Sequence, residues 1–459
     1  MEKRIIEYGK SFLKINQKFN LEAKGMNVTP PSVSGETTIP FALKNPIASA
    51  SLEAIAKGKL DQNTNAKAVI VVSDNTRPVP YRGKNGLMLH IIRELLDAGF
   101  TQQQITVIIG AGSHRNMEPV ETEEMMGLKE SGFGKVNIEN HEYDNENHLV
   151  ELGHTRTGSL VKLNKLYIEA DLKIVTGLVE SHFMAGASGG RKGICPGIVG
   201  KETLKLFHGP KFLSSSQAAD LILEGNPLND EALEVAQMAG CDFLVNVTID
   251  AAKNLTGVFA GNLLKAHQEA VKTIKSYVTV PLAKKYDIVL IPAGFVGINH
   301  YQAAKAAIEA ARAVKQNGKI IIVAKNTDTD KVGGPGYRKA LALLNQHGKD
   351  KFMEMIKAPG WEMIQEQWQV QMWCKVFDVI GTPENLIYCS LDIAKEEYKN
   401  IPGIAGLDFI ANEENGKDEI EKMELMLEKA MDFAIENSEG NPEILLLKDG
   451  PYGVPEVKE

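Results

Sequence analysis

Cysteine is scarce: four residues in 459, at Cys195, Cys241, Cys374 and Cys389. None belongs to a CxxC pair, which excludes the common zinc and thioredoxin-like motifs and provides no disulfide framework. Long apolar runs are also lacking. The strongest, AVIVV (68–72) and IIIVA (320–324), are strand-sized, against the ~20 residues a membrane helix needs. The opening MEKRIIEYGKSFLKINQ holds no apolar run of signal-peptide length. Nor is there a basic excess: 51 Lys and Arg against 59 Asp and Glu leave a formal charge of −8, with no electrostatic footprint for nucleic acid. We therefore expect a cytoplasmic protein with neither a nucleic-acid nor a membrane partner. A local basic pocket for a small anion stays compatible with this charge.

What is present is a regular alternation of β-branched runs and helical stretches, the pattern of α/β folds with mainly parallel sheets. One series holds strands near 68–73, 104–110, 172–178 and 242–248, with helices near 84–98 and 261–277. A second begins at Asp287 and holds strands 318–325, 386–390 and 443–448, with helices near 301–315, 336–356, 361–376 and 418–437. The segment SYVTVPLAKK (276–285) is the natural boundary. We expect two α/β domains, 1–272 and 273–459, with a ligand cleft between them. The first would carry the site, and the second would close over the substrate.

Three histidines stand where open α/β sheets bind ligands, past strand ends or a glycine-rich loop. His114 lies in GAGSHR, His182 in ESHF and His208 in LKLFHG. Any one of them alone reads better as a local backbone tie; three together suggest a site. His141, His148 and His154 lie in a polar stretch and read as surface. His90, His267 and His347 sit in helical contexts with no expected role.

The loop Gly186–Ala187–Ser188–Gly189–Gly190–Arg191–Lys192–Gly193 is the most specific local feature. Its glycines permit N–H groups to converge on an anion, and Arg191 and Lys192 add charge suited to phosphate. It matches neither GxxxxGK[ST] nor GxGxxG, so an ATPase or dinucleotide enzyme is unsupported. A cation beside Lys192 is one device that lowers a lysine pKa toward nucleophilic use. After the strand 68–73, Asp74 can accept hydrogen bonds and Arg77 can fork onto a carboxylate or phosphate; an Asp-capped turn is the plainer alternative. Tyr301 and Lys305, four apart in GINHYQAAKAA, share a helical face. That spacing fits a solvated face equally well. Trp368 reads as a packing residue.

An Arg and a Lys suit a carboxylate, two histidines suit proton transfer at a hydroxyl, and a third suits a metal. Together they fit a 2-hydroxy acid. Its Cα–H is a poor acid, so a hydride acceptor is the easier route, and only a cofactor can provide one.

SDNTRPVP, GAGSHR, SHFMAGASGGRKGICPG, LFHG and YQAAK fall in this order from about Asp74 to Lys305. In this the chain resembles the nickel-dependent lactate racemase family. The resemblance implies a racemase or epimerase that inverts the α-carbon of a 2-hydroxy acid by hydride transfer. It implies a nickel pincer cofactor, pyridinium-3,5-bisthiocarboxylic acid mononucleotide, joined covalently to Lys192 and made by separate biosynthesis enzymes. His208 would ligate nickel, and His114 and His182 would be the catalytic pair. Asp74, Asn75, Thr76 and Arg77 would contact the cofactor; Arg77, Tyr301, Gln302 and Lys305 would contact substrate. Met184 and Ala187 stand where larger aromatic residues are expected in lactate enzymes. That leaves malate, 2-hydroxyglutarate, aromatic 2-hydroxy acids and sugar acids as candidates beside lactate. Two other readings of the residues compete: a non-catalytic phosphate- or nucleotide-binding protein using the glycine loop alone, and a metal-dependent hydrolase or lyase with several histidine ligands.

Overall fold

The computed structural model describes residues 5–411 and 416–458. Two units emerge: Val28–Ser276, and the chain up to Asn27 joined by Tyr277 onward. Among the described residues, two six-stranded sheets organise them. In chain order their strands are β1 (Leu21–Lys24), β2 (Ala68–Ser73), β3 (Ile105–Gly110), β4 (Asn137–Asn140), β5 (Leu172–Leu178), β6 (Phe243–Ile249) and β7 (Leu255–Gly261), then β8 (Tyr286–Pro292), β9 (Val314–Val323), β10 (Leu386–Cys389), β11 (Ile404–Ala405) and β12 (Ile444–Leu447).

In the unit 28–276 the order is β7-β6-β5-β2-β3-β4, parallel except for the antiparallel pair β6/β7. β2 is buried from Ala68 to Val72, as expected of an unbroken apolar run covered on both faces. The helix Leu87–Ala98 packs Leu87, Met88, Ile91, Ile92 and Leu95 against it, spacing that makes one apolar stripe. Gly99 stops that helix in the left-handed conformation, φ 112°. Truncating one of these buried side chains to Ala would cost about 2–5 kcal/mol. The chain runs from β2 outward to β3 and later returns to β2's other side as β5. The C-terminal ends of β2, β3 and β5 thus meet at a switch point, where such sheets leave a crevice.

The second sheet is parallel throughout, in the order β11-β10-β9-β8-β12-β1. Its presence of β1 corrects the expected division at 272/273. Leu21–Lys24 pairs with Ile444–Leu447, so the N-terminal segment belongs with the C-terminal half. LEAK is too short and too mixed in polarity to announce a strand; its partner, far along the chain, makes it one. The helix expected near 301–315 is His300–Ala313, capped by the Asn299 side chain, which accepts from the Gln302 N–H at 2.9 Å. The helix expected over 336–356 breaks at Gly348, φ 73°.

Candidate active site

Three loops leave the switch point of the first sheet. After β2, Asp74 is buried while Asn75 and Thr76 are exposed. Asp74 Oδ1 accepts from the Thr76 hydroxyl at 2.6 Å, and Asp74 Oδ2 lies 2.7 Å from Nδ1 of His114 in the loop after β3. Burial alone would raise the Asp74 carboxyl. The hydrogen bond and charge of His114, with Thr76 and Arg77, outweigh it and hold the group below its ordinary value. An ionised carboxylate only accepts, so His114 Nδ1 carries the proton and Nε2 presents a lone pair. The His114 side chain is 58% exposed, leaving that nitrogen within reach of a ligand.

His182 follows β5 and has the opposite arrangement. Its Nδ1 accepts from the Met184 and Ala185 N–H groups at 3.3 and 3.2 Å. In the neutral ring the proton is therefore on Nε2. A short antiparallel pairing of Ser181–His182 with Gly186–Ala187 folds the glycine loop back beside it.

The loop carries Lys192 in a turn of 3-10 helix, Gly190–Gly193. Its N–H donates to Gly189 O at 3.1 Å, and its carbonyl accepts from Gly197 N at 3.1 Å. Gly112 N donates to Gly197 O at 3.0 Å, joining the His114 loop to this one. Lys192 Nζ lies 5.4 Å from the centre of the Phe207 ring. Desolvation first, then the charge of Arg77 and that of Arg191, lower Lys192 to about 7. His208, next to Phe207 at the end of the helix Lys201–Phe207, is pushed down to about 3 by desolvation and by the charges of Lys192 and His114. A neutral imidazole is the form that ligates metal.

Asp74, Arg77, His114, His182, Lys192 and His208 thus all belong to one unit, on neighbouring loops and one helix end. Tyr301, Gln302 and Lys305 belong to the other, half-buried in the first turns of His300–Ala313. There the Tyr301 hydroxyl accepts from Trp368 Nε1 at 3.0 Å, and Gln369 Nε2 donates to Tyr301 O at 2.6 Å. Trp368, read as packing, is a direct neighbour of an expected substrate residue. His141 is a further correction: it is 1% exposed, with Nε2 2.9 Å from Val199 O. His267 and Asn246, unassigned from sequence, hold the lysine loop. An Asn inside the apolar run FLVNVTI was a readable signal for the second; the first gave none.

Among the described residues, no group of three His, Cys, Asp or Glu side chains could hold a metal ion. A metal at His208 would need most of its ligands from a bound prosthetic group. A single neutral imidazole beside a low-pKa lysine fits such a group and does not fit a bare multi-histidine metal centre.

Models of the lactate racemase N-terminal and C-terminal domains match residues 7–220 and 282–396. The chain belongs to the lactate racemase family. It is an isomerase, a racemase by class. The lactate racemase of Thermoanaerobacterium thermosaccharolyticum is 31% identical over 352 residues, 75% of this chain and 78% of that one. That of Lactiplantibacillus plantarum is 32% identical over 349 residues, with the same shares covered. The lactate racemase apoprotein structure from T. thermosaccharolyticum superposes with a TM-score of 0.82 at 27% identity, covering 98% of this chain and 99% of that one. A Thermotoga maritima protein shares the fold, with a TM-score of 0.61 at 18% identity, covering 90% and 100%. Among the described residues no helix is long and apolar enough to cross a membrane.

Proposed function

We propose that this racemase inverts the α-carbon of a 2-hydroxy acid by moving hydride from Cα and back to its opposite face. The observation that supports this reading is the placement of two histidines after strands of one sheet, at its switch point: His114 Nδ1 bonded to the Asp74 carboxylate, His182 Nδ1 facing two backbone N–H groups. His114 Nε2 takes the hydroxyl proton of one enantiomer, and the Asp74 carboxylate stabilises the imidazolium that results. To return a proton to the oxygen on the other side, His182 has to carry a second proton, giving one up as imidazolium and remaining as the neutral ring. A racemase needs a base and an acid that exchange roles with direction; each ring does so by moving between its neutral and its protonated form.

Lys192 would hold the pyridinium-3,5-bisthiocarboxylic acid mononucleotide covalently, and His208 would provide the protein's ligand to its nickel. When bound, that group supplies the hydride acceptor and donor that no side chain can be. With its pKa near 7, a large share of Lys192 is the free amine at neutral pH and able to form the bond, and the neutral His208 leaves a lone pair for metal. Asp74, Asn75, Thr76 and Arg77 would contact the cofactor, and Arg77, Tyr301, Gln302 and Lys305 would contact the acid. A cytoplasmic location and dependence on separate cofactor-making enzymes belong to the same reading. Met184 and Ala187, smaller than the aromatic residues expected in lactate enzymes, leave malate, 2-hydroxyglutarate, aromatic 2-hydroxy acids and sugar acids as candidates beside lactate.

The test is incubation of loaded enzyme with single enantiomers of 2-hydroxy acids in D₂O, following Cα by NMR. Racemisation with Cα hydrogen retained supports hydride transfer. Deuterium entering Cα as fast as racemisation would show proton abstraction instead.

A further inference from the structure

We propose that His267 is a positioning residue, tying Ser188 and Arg191 together so that the turn between them aims Lys192. The inference rests on the role given to Lys192 above. His267 lies in the helix Leu263–Val278 and is fully buried. Its Nε2 is 2.8 Å from Ser188 O, and its Nδ1 is 3.1 Å from Arg191 Nη1. A carbonyl only accepts and a guanidinium only donates. One neutral tautomer, with the proton on Nε2, satisfies both at once. Protonation would set a second N–H against the guanidinium, and burial with the Arg191 charge holds the ring neutral, its pKa lowered to about 3.

The ring also fills the place of a missing side chain. Gly190 has φ +55°, and a Cβ there would sit 2.6 Å from His267 Cδ2. The imidazole therefore lies directly against the loop backbone, bonded to the residues on either side of Gly189–Gly190. Asn246 closes the same turn, accepting from Gly190 N at 2.8 Å and donating to Gly177 O at 3.2 Å. The next residue is Lys192, whose own N–H is bound within the turn, to Gly189 O.

Arg191 is the other end of this tie. Its guanidinium is buried, and among the described residues Nη1 alone finds a protein partner, the His267 ring. An apolar side chain at 267 would fill the space without the two ties.

The experiment uses cofactor-free protein and amide hydrogen exchange, with His267→Leu, His267→Gln and Arg191→Met. His267→Leu should speed exchange at Ser188, Gly190 and Lys192 roughly tenfold, leaving the strands Ala68–Ser73 and Leu172–Leu178 unchanged. His267→Gln, which can donate and accept, should restore protection, and Arg191→Met should reproduce the loop effect. Attachment of the cofactor to Lys192, followed by intact mass, should slow in step, and in loaded protein kcat should fall with KM for the acid unchanged. Unaltered loop exchange in His267→Leu, a uniform loss of protection across the unit, or failure of Gln to rescue would each overturn the proposal. Absence of added mass on Lys192 in the wild-type protein would count against the cofactor assignment alone, because the exchange measurement needs no cofactor.

Discussion

Asp74 Oδ2 accepts the Nδ1 proton of His114 at 2.7 Å across two neighbouring loops. The carboxylate fixes the ring proton of His114 on Nδ1 and leaves the lone pair on Nε2. In Asp74→Asn the amide can donate to Nδ1, which moves the ring proton to Nε2 and removes the base. We expect kcat to fall by roughly 10² or more, with KM and the melting temperature little changed. An Asp74→Asn enzyme with wild-type kcat would remove His114 from its role.

Lys192 should titrate near neutrality. Its pKa is lowered from 10.5 to about 7, so between these values the folded protein holds a neutral amine where the unfolded chain holds an ammonium. Competitive labelling of the apoprotein with an amine reagent, read by peptide mass, should show Lys192 half-reactive near pH 7, ahead of surface lysines. Arg77→Gln removes a neighbouring cation and should move that midpoint upward.

His141 should make the fold acid-sensitive. Desolvation is the main cause lowering its pKa from 6.5 to about 4. The unfolded chain then binds a proton that the folded chain refuses, so stability is full above 6.5 and declines as pH falls toward 4. At pH 5 this group contributes a loss of about 2 kcal/mol relative to neutral pH. Urea unfolding at pH 7 and pH 5 measures it, and His141→Gln should flatten the difference.

Trp368 should act on binding. Its indole N–H donates to the Tyr301 hydroxyl at 3.0 Å, so Trp368→Phe removes one neutral hydrogen bond, worth ~1 kcal/mol. KM for the acid should rise about fivefold with kcat nearly preserved. A kcat loss at constant KM would argue that Tyr301 does not hold substrate.

The parallel sheets were legible because their strands are continuous apolar runs: AVIVVS, ITVIIG and DIVLIP each became a buried central strand. The segment Leu21–Lys24 was not, because an edge strand of mixed polarity is specified by its partner and not by its own pattern. The same limit applies at the site. GAGSHR and ESHF announced histidines at strand ends, but their opposite tautomers depend on Asp74 and on two backbone N–H groups, which only the folded chain brings near. His141 read as surface because its neighbours are polar; Asn164 and Val199, distant in sequence, bury it. His267 carried no signal, since a lone histidine on a helix looks the same whether it faces water or a loop.

The most direct measurement is peptide mass mapping of protein produced with and without the cofactor-making enzymes. The account predicts an added mass on the peptide containing Lys192 only in the first preparation, its loss in Lys192→Ala, and racemase activity that follows the loaded fraction. Full racemase activity in protein carrying no added mass, or a mass located on another residue, would contradict it.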